Sequence, residues 1–291
     1  MVANAKLDAN HEPRDLARRR RIRKALDKWL LTLLGIVVLI PFLFPFAWML
    51  LGSFKREVDF TAYPPVWIFE PTMTNYVKVL VDNDFGTFAL NSTIVATATT
   101  VLALLLGIPG AYAVARYRRN GFAMVVLASR MAPGIAFLIP WFVMFVHLKL
   151  TNTYIALVTS HLIVSLPIVL WMMIGFIEAV PIEIEQAALV DGCTVWGVLG
   201  RVVVPLSLPG IAASGILSFI FSWNNFLYSV VLAGDATKTL PVAVFSFLSY
   251  QSINWGSLSA AACVITLPVI LLALMVQRYI VQGLAAGGVS G

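Results

Sequence analysis

Few charged or amide side chains fall inside the long apolar runs of this chain, and those few set out its possible chemistry. Arg130, in the stretch Ser129-Arg130-Met131-Ala132-Pro133, sits eight residues into one such run, about 12 Å along a helix. An ionisable group at that depth is costly and marks a function or a specific pairing. Two readings stand. Arg130 bonds carbonyls freed near Pro133, or it faces a pathway and attracts an anionic or hydroxyl-rich solute. A second interruption is Ser222-Trp223-Asn224-Asn225. A Trp stacked on a sugar face beside amides that bond hydroxyls is carbohydrate chemistry. The alternative is helix packing, where polar side chains bond across helices for about 0.6–2 kcal/mol each.

Other residues narrow the field. His147 and His161 have no second His or Cys at ligand spacing, so packed polar groups are expected rather than a metal site. Cys193 and Cys263 read as two packing thiols. No Asp or Glu lies inside any apolar run, and no internal repeat is visible. Both count against the rival reading, an ion-coupled secondary transporter. The chain has no G-x-x-x-x-G-K-[ST], H-E-x-x-H or G-x-S-x-G. It is therefore expected to be no enzyme, and any ATP hydrolysis must come from another polypeptide.

The elements that carry these residues are membrane spans. The 291 residues are 60% hydrophobic and 12% charged, half the charge of a typical soluble protein. Runs of roughly 20 apolar residues predict six helical spans, near 30–51, 88–115, 122–147, 154–177, 206–233 and 258–281. Residues 1–29 form a basic N-terminal segment and 30–291 one membrane domain. The start of the chain is too long and too basic for a signal peptide, so the first span is expected to remain as an anchor. Nine Lys and Arg precede that span, Arg18–Arg21, Arg23 and Lys24 among them, and Arg116, Arg118 and Arg119 follow the second. The opposite loops hold only Lys55, Arg56, Lys78, Lys149 and Lys238. The bias puts both termini in the cytoplasm. The arginine run is expected to rest on anionic lipid, not nucleic acid. Leu16, Ile22, Leu26 and Trp29 give it the partial apolar stripe of an interfacial helix. On the outer side, Tyr63, Pro64, Pro65, Trp67 and Ile68, and later Asn254 and Trp255, suit the interface or a partner.

Between the fourth and fifth spans lies a polar stretch, residues 178–204, running on through Pro209. Pro181 can open a helix, with Glu183 and Glu185 in the first turn, where the helix dipole favours acids. Ala187 and Ala188 leave room for close approach by another surface. Gly192 can take the left-handed conformation that ends a helix. Asp191 or Thr194 can cap the next helix, with Trp196 and Leu199 apolar on its turns. A short helix, a fixed bend and a second short helix make a docking element.

The run Gln186-Ala187-Ala188-Leu189-Val190-Asp191-Gly192, followed by Pro205-Leu206 and Pro209, resembles the Glu-Ala-Ala loop of permease subunits of binding-protein-dependent ABC importers. It departs from that signature where Gln186 replaces Glu, and Glu185 stands beside it. Ala111-Tyr112-Ala113-Val114-Ala115-Arg116, Arg201 through Pro209 and the tail 281–291 are similar to the sugar permeases, most of all the MalG-like subunit of maltose-type importers. The resemblance implies the all-α fold of a type I importer permease, with six transmembrane helices and a cytoplasmic coupling helix between helices four and five. It implies ATPase-coupling roles for Glu185, Gln186, Ala187, Ala188, Asp191, Gly192 and Arg201, and a C-terminal tail, 282–291, that reaches the ATPase. Spans three to six would rock as the ATPase closes. The implied partners are a MalF-like second permease subunit, a dimeric ABC ATPase that carries the ATP and Mg, and an extracytoplasmic solute-binding protein. This chain would bind no cofactor of its own. The setting would be a bacterial plasma membrane, and Arg130, Trp223, Asn224 and Asn225 are the candidates for the solute pathway.

Overall fold

A computed structural model describes residues 14–117, 120–129, 133–248 and 253–287. Arg130, Arg118, Arg119 and the last four residues of the tail lie outside them. The described chain is helical, and its one β feature among these residues is an isolated bridge between Leu248 and Ile253. It divides into two bodies, one ending at Gly52 and one beginning at Ser53.

The described residues of the first body belong to a single helix, Arg14–Ser53, whose last residue begins the second. Its apolar part, Leu26–Ser53, is long enough to cross a membrane. The basic stretch does not form a separate interfacial helix, because its backbone runs unbroken into the span.

The second body supplies three more uninterrupted spans, Phe85–Tyr117, Tyr154–Glu178 and Trp255–Gln277. The remaining two expected spans are each broken, the third at Pro133 and the fifth at the polar interruption 222–225. The third consists of Asn120–Ala128 and Gly134–His147, with Pro133 capping the second piece. Proline has no N–H to give and disfavours helix in the residue before it. The fifth consists of Leu208–Trp223 and the short Leu227–Leu232. It meets the stretch Val195–Leu206 at a bend of 80°. Pro209 stands in the first turn after the bend. There Gly210 lets span five press on span four, since a Cβ would run into the Phe176 ring.

Spans two, four and five pack on one another, and span six packs on span five. Ala103, Gly107 and Ala111, at helical spacing on span two, are all buried, and Val169 of span four lies against Gly107. Small residues of this kind let membrane helices approach closely where no hydrophobic driving force exists between them. His161 of span four ties both halves of broken span five together. Its Nδ1 lies 2.8 Å from Ser222 Oγ and its Nε2 3.3 Å from Ser229 Oγ.

At the Phe85 end of span two the neighbouring loops are held by neutral hydrogen bonds. The Asn91 amide donates to the carbonyls of Ala236 and Lys238 at 3.2 and 2.9 Å and accepts from Tyr154 at 2.6 Å. Ser92 Oγ accepts from Leu240 N–H, and Asn152 Oδ1 accepts from Gly234 N–H and the Thr237 hydroxyl. In the loop after the first helix the buried Lys55 ammonium donates to the Val66 carbonyl. The Glu57 carboxylate accepts from the Trp255 and Gly256 amides at the start of the last helix, where Trp255 stacks on Phe60. Tyr63 and Ile68 remain almost fully exposed.

Candidate functional site

The polar stretch after span four folds as two short helices joined by a fixed corner. The first, Ile182–Val190, follows Pro181, which stands at its N-cap. It ends in a Schellman motif. Cys193 N–H donates to the Ala188 carbonyl and Gly192 N–H to that of Leu189, both at 3.0 Å. That closure needs a left-handed residue, and Gly192 has φ +88°. Nothing surrounds the position of its missing Cβ, so the backbone conformation alone requires glycine there. Thr194, not Asp191, caps the second helix, accepting from Gly197 N–H at 3.2 Å. A π-helical turn, Leu199–Val203, then leads to the bend at Ser207.

This two-helix segment has an inner and an outer face. Val198, Leu199 and Val203 are buried in a cluster with Ala111, Tyr112, Leu170, Met173 and Ile177, against which Ala188 and Cys193 also pack. Gln186, Ala187, Asp191, Gly192 and Arg201 are exposed. So are large apolar side chains, Val190 at 87% and Trp196 at 72%. Sequence placed Trp196 and Leu199 together, whereas the structure turns Leu199 inward and Trp196 outward. Exposed apolar surface of this kind marks a contact with another protein or with the membrane.

Glu185 departs from the expected set. Grouped with the coupling residues, it is instead the one fully buried member of its helix, at 3% exposed. Arg116 explains why. From the last turn of span two, its Nε and Nη2 donate to Glu185 Oε1 at 2.8 and 2.6 Å. The same Nη2 donates to the carbonyls of Ile177 and Val180 at 2.8 and 2.7 Å. The Tyr112 hydroxyl donates to Glu185 Oε2 at 3.0 Å. A carboxylate leaves water readily only when its oxygens are bonded and its charge matched, and both conditions hold. Tyr112 and Arg116 were missed as site residues. The available signal was their spacing of four, which sets both on one face at the end of span two.

The pathway candidates are scattered. Trp223 is buried, its indole N–H donating to the Ile265 carbonyl of span six at 3.1 Å and its ring stacked on Phe219 at 5.7 Å. The packing alternative accounts for it. Asn225 is half-buried and caps the short helix that follows by accepting from Tyr228 N–H. Asn224 is exposed at the break, donating to the Ile220 carbonyl of its own helix. Next to it the rings of Phe226 and Phe245 stack at 4.9 Å.

Residues 101–286, which hold the two-helix segment and most of the membrane body, match the family of binding-protein-dependent transport system inner membrane components. The chain belongs to this family. It is a multi-pass membrane permease. It is 35% identical to the sulfoquinovosyl glycerol transport system permease protein SmoH of Agrobacterium fabrum, over 88% of this chain and 91% of that protein. It is 32% identical to the trehalose/maltose transport system permease protein MalG of Thermococcus litoralis, over 93% of this chain and 100% of that one. The fold is that of a permease chain in a bacterial ABC transporter involved in import of the acidic polysaccharide alginate. That match has a TM-score of 0.72 at 23% identity and covers 90% of this chain and 98% of that one.

Proposed function

We propose that this permease is one half of an ATP-driven importer for a carbohydrate or sugar-like solute, and that the outer face of residues 181–206 is where a separate ATPase docks. The division of that segment into a packed inner face and an exposed apolar outer face carries the reading. Val190 and Trp196 leave large apolar surface uncovered by the rest of the chain, which suits a protein partner seated on that face. Gln186, Ala187, Asp191, Gly192 and Arg201 lie on the docking side; Ala188 is half-turned inward and Glu185 is not on that side. The importer is completed by a second permease chain, a pair of ATPase subunits that hold ATP and Mg, and an extracytoplasmic binding protein. The lysine and arginine bias sets the docking face and both termini in the cytoplasm of a bacterial cell.

The solute pathway runs past the break in span five. Leu208–Trp223 spans sixteen residues, about 24 Å at a helical rise, which sets Asn224 well inside the outer half of the membrane. Measured from the other side, His161, which bonds Ser222 beside the break, is seven residues from the outer start of span four, about 10 Å. Irregular backbone at that depth lies against protein or a water-filled cavity, never against lipid. An exposed amide, Asn224, beside the stacked rings of Phe226 and Phe245 suits the hydroxyls and apolar face of a sugar.

The test is uptake into proteoliposomes holding the complete complex with its binding protein, with trehalose as neutral and sulfoquinovosyl glycerol as anionic probe. ATP-dependent accumulation of either supports the reading. Accumulation that persists without ATP on an ion gradient overturns it.

A further inference from the structure

The inner face of the coupling segment meets the membrane body through apolar contacts and one charge cluster. Apolar contacts are non-directional and leave neighbouring surfaces free to shift. The cluster is directional. The Arg116 side chain is 11% exposed and that of Glu185 4%, with 2.6 Å between Nη2 and Oε1. Charge-assisted bonds of this length fix orientation as well as distance. The guanidinium also donates to the carbonyls of Ile177 and Val180 at the end of span four. One side chain thus joins the end of span two, the end of span four and the first turn of the coupling helix, while Tyr112, one turn earlier on span two, holds the second carboxylate oxygen. Along the chain, by contrast, the segment reaches span five only through the 80° bend at Ser207.

We propose that Glu185, Arg116 and Tyr112 form the rigid joint through which displacement of the coupling helix reaches span two, in step with span four. Glu185 and Arg116 are positioning residues in this scheme. They carry force from the docked face into the membrane and do not themselves touch the ATPase. The inference rests on the reading that the outer face docks an ATPase, and its test separates the two.

The experiment is hydrogen–deuterium exchange on the complete complex, with and without MgATP plus orthovanadate to trap the closed ATPase pair. The segments followed are 182–192 and 108–117. In the unsubstituted protein both should change exchange on trapping. In Glu185→Gln, which keeps hydrogen-bonding atoms but removes the charge, segment 182–192 should still respond. The response of 108–117 should fall at least fivefold. An undiminished response of 108–117 in Glu185→Gln overturns the joint and leaves docking intact. Loss of protection in both segments before nucleotide is added, with the trapping response unchanged, makes the pair purely structural and also overturns it. If 182–192 of the unsubstituted protein ignores nucleotide, the docking reading falls and the joint with it.

Discussion

The two ends of span two hold their neighbouring loops by different chemistry. At the outer end Asn91 and Ser92 grip the 236–240 loop with neutral amide and hydroxyl bonds to backbone groups. At the inner end Tyr112 and Arg116 grip residues 177–185 with a buried charge pair. Neutral bonds leave modest penalties when broken and can be re-formed with water. A buried pair is severe when halved, because the surviving charge is stranded. The outer loop is fastened, and the inner loop is fixed in register. An element that transmits movement needs the second kind of attachment.

Substitutions can break or sharpen this contrast. The largest stability effect should come from Arg116→Ala, which strands the Glu185 carboxylate. A loss of about 3–5 kcal/mol is expected for one partner of a buried pair, read as a lowered thermal midpoint of the purified complex. Asn91→Ala removes the groups that satisfy two carbonyls and the Tyr154 hydroxyl. Its cost should be about 1–3 kcal/mol, measured the same way, and an effect as large as that of Arg116→Ala would erase the distinction between the ends. Thr194→Ala removes one cap from an exposed corner, worth about 1 kcal/mol. Its mark should be faster amide exchange confined to residues 195–198.

Much of this was legible in the residues. Gly192 announced the corner and Thr194 was one of two possible caps. The uninterrupted spans followed from apolar length alone. The inward turn of Glu185 was not legible, because the nine-residue helix that carries it has no apolar stripe to set its orientation; its inner anchor is a charge whose partner lies 69 residues away in sequence. The polar interruption at 222–225 was visible, but not that the helix stops there. The run stays apolar on both sides, and the residues that hold the break, Asn225 and His161, act through side-chain bonds that hydropathy does not register. Trp223 allowed two readings, a sugar platform or helix packing, and the carbonyl it bonds belongs to span six, a partner its neighbours in sequence could not name.

The central claim is that the exposed face of residues 181–206 is the ATPase's seat while its inner face belongs to the membrane body. The direct measurement is the amount of ATPase that co-purifies with the permease carrying Val190→Glu and Trp196→Glu together, alongside the thermal midpoint of the permease itself. Both side chains are exposed, so the midpoint should stay within experimental scatter while co-purified ATPase falls at least tenfold. Full retention of the ATPase, at an unchanged midpoint, would contradict the account.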